Sequence, residues 1–257
     1  MTVPQLGLAQ GDFAWIAANS GLNQPESPLI VPSWTITKGK TAINLPVTAP
    51  AQFSWRHHPS LAPVSNQAKN ATCVAHAACR MIETLYRQSA QTIDLNAECA
   101  HQCVYGYPCS WPPSEVSSFL DALRAHGAPK APSFVAGLSC PAKSALQLVS
   151  VPRFGRAATI AQIKAQIAHS GPVLGVVTLG LDFEHLAAPF VYSGPPSGSE
   201  TFNHAVLLIG YDDIDQGGMW QCQNSFGTGW GDKGHFWMPY AASRLLSDDL
   251  HAAYFLT

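Results

Sequence analysis

An α+β fold is predicted for this chain, and three observations carry that expectation. Apolar residues recur at helical spacing in stretches beginning near residues 73, 114 and 159. Beyond residue 172, β-branched and aromatic runs take over, and no internal repeat or low-complexity tract breaks the order of helices first and strands second. With 257 residues, 47% of them hydrophobic, the chain can bury a sizeable core as one large domain or as two lobes sharing a cleft.

The elements follow in order. Pro4, Pro25, Pro28, Pro32, Pro46 and Pro50 fall so close together that no long helix can form, and residues 1–50 read as an extension along a surface. Leaving Phe13, Trp15, Ile16, Leu29, Ile30, Val31 and Trp34 in water would be costly, so this segment is expected to pack on the rest of the chain. After Cys73, the residues Val74, Ala77, Ala78, Met81, Ile82 and Leu85 predict a helix with one buried face and the thiol in its first turn. A second helix runs from about Ser114, with Val116, Phe119, Leu120 and Leu123 on one stripe, and stops at Gly127 and Pro129. A third starts at Thr159, where Gln162 completes a capping box, and carries Ile160, Ile163 and Ile167 as its stripe before Gly171. Strands are predicted at Val173 to Thr178, Ala205 to Tyr211, Met219 to Gln223 and His235 to Met238.

Composition excludes some function classes. Charged residues make up 12% and the formal net charge is −2, so no basic field is present to hold nucleic acid. The apolar run from Pro172 to Leu181 is far short of the roughly 20 residues that cross a bilayer, and no membrane partner is expected. The first thirty residues hold neither Lys nor Arg and no continuous apolar stretch, unlike a secretory signal. Seven Cys is an odd count: with Cys73 as a working thiol, Cys79, Cys99, Cys103, Cys109, Cys140 and Cys222 could pair, which favours an oxidising compartment and export. The alternative for Cys79 and Cys222, each inside an apolar pattern, is a small buried side chain.

Chemistry concentrates in three places. Phe202-Asn203-His204-Ala205 opens one strand run, Gln223-Asn224-Ser225-Phe226-Gly227 closes another, and Gln67-Ala68-Lys69-Asn70-Ala71-Thr72-Cys73 leads into the first helix. A thiol becomes a good nucleophile when a helix N-terminus and a pairing imidazolium lower its pKa, and His204 suits the base. Asn224 suits the amide that accepts from the other ring nitrogen and aims it.

Together these segments resemble the papain-like cysteine peptidases, and the resemblance covers about four-fifths of the chain, from Phe53-Ser54-Trp55-Arg56 to the C-terminus. It implies a two-lobe fold, with a helical lobe over about 66–150 carrying Cys73 and a β-barrel-like lobe over about 151–257 carrying His204 and Asn224. The domain as a whole is 51–257, and 1–50 becomes an N-terminal extension or short pro-region packing on it. The resemblance also makes Gln67, with the Cys73 backbone N–H, the oxyanion donor. Val104-Tyr105-Gly106-Tyr107-Pro108 resembles the family's substrate-binding segment, so Gly106 would bond an extended peptide. Tyr107, Pro108, Phe202 and Asn203 would line the pocket for the residue two before the cut, with Trp230 walling the far side. A preference for an apolar or aromatic residue there follows, because nothing charged is among them. Phe226 stands where the family has a Trp over the His–Asn contact, and Cys99 with Cys140 resembles a family disulfide.

Asn70 and Val74 depart from the family's usual Cys and Trp at those places, as bacterial members do, which leaves Cys103 without its family partner. Cys99, His101, Cys103 and Cys109 are close enough in sequence for zinc, yet the family pattern gives two of them to disulfides, so neither metal nor cofactor is expected. His57, His58 and His76 read as surface or supporting groups, with His76, one turn beyond Cys73, a conceivable rival base. The function implied is hydrolysis of peptide or protein substrates by a monomer. A thiol-dependent amidase, deconjugase or transpeptidase, and an inactive binding scaffold, are the alternatives.

Overall fold

The computed structural model describes residues 49–105, 116–131, 147–214, 217–247 and 252–256, with the backbone alone at 103–105. Helices α1 (Cys73–Gln88), α2 (Ala97–Tyr105) and α3 (Val116–His126) come early in the chain. Strands β5 (Val173–Gly180), β6 (Thr201–Asp212), β7 (Met219–Gln223) and β8 (His235–Pro239) come late, as the pattern predicts. Between them lie the short pairs β2 (Ala128–Pro129) with β3 (Leu148–Val149), then β4 (Phe154–Arg156) and α4 (Ile160–His169). Thr159 caps α4 by accepting from Gln162 N–H, while the Gln162 side chain reaches back to Ala158 N–H at 2.8 Å, one residue earlier than a strict capping box.

The strands form one seven-stranded antiparallel sheet in the order β4-β9-β5-β6-β7-β8, where β9 is Ala253–Leu256. A further strand, β1 (Gln52–Ser54), pairs with the far end of β6. Neither β1 nor β9 is signalled by periodicity, because three or four residues are too few to show alternation. Strand β6 is longer than its apolar run: pairing with β5 draws in Thr201 to His204, and Val177 stands opposite His204. All eight residues of β5 are buried, so this strand is covered on both faces. Gly210 is required where β1 meets β6, since a Cβ there would lie 2.5 Å from the Phe53 carbonyl oxygen, next to a register shift between Leu208 and Gly210.

Helix α1 presses the small residues Ala75, Ala77 and Ala78 together with Val74, Met81 and Ile82 into the interior, and packs on β6. A single core of buried side chains joins the helices to the sheet. Trp55 pins β1 to α4 through a 2.7 Å bond from Nε1 to the Ile167 carbonyl. Glu83, fully buried in α1, accepts from Arg80 and from Leu95 N–H, and burial raises its carboxyl to about 7 despite the guanidinium beside it. Cys79 and Cys222 are buried free thiols, each pushed upward by burial, which settles the pairing question against a disulfide for those two. Cys99 is disulfide-bonded, and its expected partner Cys140 lies outside the described residues, as do Cys109 and the side chain of Cys103.

Candidate active site

Three elements converge on one spot. Helix α1 begins at Cys73 with Thr72 as N-cap, β6 presents His204, and the chain leaves β7 at Gln223 to place Asn224 next. The backbone of Ala205, the residue after His204, favours the charged form of the Cys73 thiol, so sulfur lies beside the strand that carries the imidazole. His204 Nε2 lies 2.8 Å from Asn224 Oδ1. Ser225 N–H donates to the same oxygen at 2.8 Å, and two donors meeting on one atom fix which end of the Asn side chain is the carbonyl. Nε2 of neutral His204 therefore carries the proton, and Nδ1 is the nitrogen left to take one from a thiol.

Aromatic rings close over this contact. Phe226 is 1% exposed with its ring 5.2 Å from that of His204, and it packs edge-on to Trp230 at 5.6 Å. Behind them stands Phe183, 4.7 Å from Trp230, 5.0 Å from Phe236 and 4.9 Å from Tyr192. Sequence reasoning missed Phe183: it sits on a short 3-10 helix, Leu181–His185, with no apolar period to mark it. Trp230 and Phe202 are each 2% exposed, so they back the site instead of walling an open groove, and Trp230 is tied down by a bond to the Glu184 carbonyl. Asn203 is buried and accepts from Thr178 Oγ1 at 3.1 Å. Gly106, Tyr107 and Pro108 lie outside the described residues.

Burial governs the ionisation here. It drives the Cys73 thiol up to about 11, outweighing the backbone bonds that pull it down. The same effect drives His204 down to about 4, outweighing the bond from Asn224. The sequence argument expects a thiol lowered by the helix N-terminus. Here that effect loses to desolvation, because Cys73 is 3% exposed and the Thr72 side chain makes no cap bond. A proton shared between sulfur and Nδ1 must then be held by the mutual attraction of thiolate and imidazolium.

Gln67, 0% exposed, accepts from Ser225 Oγ at 2.5 Å and donates one amide N–H to the Asn70 carbonyl at 2.8 Å. That amide carries a second N–H. Ser225 thus bonds both its neighbour Asn224 and the distant Gln67, and no local pattern could reveal the second contact because the two residues lie 158 positions apart. His76, read from sequence as a surface or supporting group and a conceivable rival base, is 4% exposed and bonded on both nitrogens, to Ser65 Oγ and Glu98 Oε1 at 2.9 Å each, which fits a supporting group and not a base. His57 and His58 are exposed. Among the described residues no group of three or more His, Cys, Asp or Glu could hold a metal ion, and no helix is long and apolar enough to cross a membrane.

Residues 49–247 match the family described as papain family cysteine protease. Ananain of Ananas comosus is 24% identical over 193 residues, covering 73% of this chain and 55% of its own length. Cathepsin S of Mus musculus is 26% identical over 210 residues, covering 74% of this chain and 59% of its own. The chain thus spans little more than half the length of these relatives. Among solved structures, xylellain, a cysteine protease from Xylella fastidiosa, superposes with a TM-score of 0.69 at 17% identity, covering 85% of this chain and 90% of that one. The proform of a ragweed pollen cysteine protease superposes with a TM-score of 0.68 at 19% identity, covering 97% of this chain and 76% of that one.

Proposed function

The chain belongs to the papain family of cysteine proteases with that family's α+β two-lobe fold, and we propose that it hydrolyses peptide bonds with Cys73 as nucleophile. One observation supports this most: His204 is oriented through Nε2 by Asn224 while sulfur lies beside the backbone of the next residue. His204 Nδ1 takes the proton from Cys73 Sγ, and the thiolate adds to the scissile carbonyl carbon. The carbonyl oxygen becomes an oxyanion that accepts from the second N–H of Gln67 and the Cys73 backbone N–H. As the tetrahedral intermediate collapses, the C–N bond breaks and the imidazolium gives its proton to the departing amine, leaving a thioester. Water, deprotonated by the same imidazole, cleaves that thioester and restores the thiol.

At the residue two before the cut the substrate is apolar or aromatic, a preference resting on Tyr107 and Pro108 with Phe202 behind them. Residues 1–50 pack on the catalytic domain as a pro-region or brace. A structural likeness to a proform that takes in 97% of this chain supports that reading. The disulfide at Cys99 fits an exported protein. Mass-spectrometric profiling of cleavages in a peptide library, with Cys73→Ala as control, tests the function. Cleavage after apolar second positions that disappears in the variant is the expected outcome. Turnover of special amides with the library left intact would favour an amidase or deconjugase, and activity surviving in Cys73→Ala would overturn the assignment.

A further inference from the structure

An unbroken chain of polar contacts runs from α2 to the catalytic histidine. Glu98 faces His76 Nε2 at 2.9 Å, and His76 Nδ1 faces Ser65 Oγ at 2.9 Å. The Ser65 carbonyl accepts from Gly227 N–H at 2.9 Å, and Gln67 N–H donates to the Ser225 carbonyl at 2.8 Å, so residues 65–67 and 225–227 are stitched side by side. From Ser225 the contacts continue to Gln67 Oε1 and to Asn224 Oδ1, and from there to His204.

A cavity of about 10 Å³ lies within this network, lined by Ser65, His76, Gln223, Asn224 and Ser225 among others. Two atoms of the residues that line it, Asn224 Nδ2 and Gln223 Oε1, are buried and make no hydrogen bond. His76 and Asn224 therefore line the same small cavity. The buried side of α1 is mostly apolar, with Glu83 and Thr84 beside His76 as its polar members, and the partners of His76 come from elsewhere: Glu98 from another helix and Ser65 from the segment ahead of α1.

We propose that His76 is a positioning residue of this site. Gripped by Glu98, it holds Ser65, and thereby seats residues 65–67 against 225–227 so that Gln67 keeps its amide on the oxyanion and Asn224 keeps its grip on His204. The proposal rests on the catalytic reading above. Because the oxyanion forms only in the transition state, loosening this seat lowers kcat and leaves KM in place. A merely structural role would lower thermal stability or the folded fraction without changing turnover per intact site.

The test is steady-state hydrolysis of a fluorogenic dipeptide substrate by the full chain and its variants Ser65→Ala, Glu98→Gln and His76→Phe, with active sites counted by E-64 titration. Ser65→Ala, which deletes one half-buried hydroxyl, is the variant that folds if the others fail. The expected result is a fall in kcat per titrated site of about ten-fold with KM unchanged. His76→Asn, which keeps a hydrogen-bonding group toward Ser65, should recover part of the loss. If kcat per titrated site stays within two-fold of the starting protein, or if KM alone moves, His76 only fills space and the proposal is overturned. Failure of E-64 to titrate the unmutated protein would instead sink the catalytic reading, so the two failures are separable.

Discussion

Replacing Asn224 by Ala removes a single oxygen on which two buried donors converge. His204 Nε2 and Ser225 N–H each lose their acceptor, at 2.8 Å in both cases, in a place where Phe226 keeps water away. A buried donor left without a partner costs about 1–3 kcal/mol. The Ser225 share falls on stability, so the variant should unfold about 2 kcal/mol more easily in a urea titration. The His204 share falls on catalysis: an imidazole no longer held by Nε2 can present the wrong tautomer or turn from sulfur. At about 2 kcal/mol, kcat/KM should drop roughly 30-fold. Counting sites with E-64 keeps the two shares apart, because turnover per labelled thiol is insensitive to the unfolded fraction. Asn224→Asp sharpens the experiment: it keeps an acceptor for both donors and adds a negative charge, so it should raise the His204 pKa and move the alkaline limb of the rate profile upward. Turnover per site unchanged in Asn224→Ala, with only stability reduced, would refute the reasoning that this amide aims the base.

Further outcomes follow from the same geometry. Gln67→Ala should cost about 3 kcal/mol in kcat with little change in KM, measured on a dipeptide substrate, because the role proposed for its second N–H is on the oxyanion. Stability should depend on pH through both buried groups. His204, held down to about 4, stays neutral in the fold while the unfolded chain takes a proton near 6.5. Its contribution is thus complete above pH 6.5 and lost as pH falls toward 4, on the order of 3 kcal/mol. Cys73, held up to about 11, works in the opposite direction: its share is present below pH 9 and fades as pH rises toward 11. Denaturation midpoints of the protein and of His204→Gln across pH 4 to 8 should converge at the acid end, and parallel curves would contradict this.

The parts of the site that were legible in the sequence are those whose identity is local. Cys73 at a helix start, His204 beside an apolar run, Asn224 after another and Gln67 six residues before the thiol each stand in a short readable context. Contacts between distant segments were not legible. Ser225 has no role in its local context and gains one only where the fold brings it to Gln67, and the two partners of His76, Glu98 and Ser65, come from separate segments. Phe183 lacks any period because it sits on a single 3-10 turn, and β6 outran its apolar stretch because pairing with β5, not composition, sets its start. Burial depth was not legible for a related reason: a helix N-terminus can be read from residue order, whereas the desolvation that opposes it depends on the whole fold.

The most direct test of the account is the rate at which E-64 modifies the native protein between pH 5 and 8, with the modified residue located by peptide mapping, compared with His204→Ala. A thiol held near 11 by burial and acting alone would react slowly throughout that range. The account expects rapid modification confined to Cys73, falling at least a hundred-fold when His204 is removed. Equal rates in the two proteins, or label spread over Cys79 and Cys222, would contradict it.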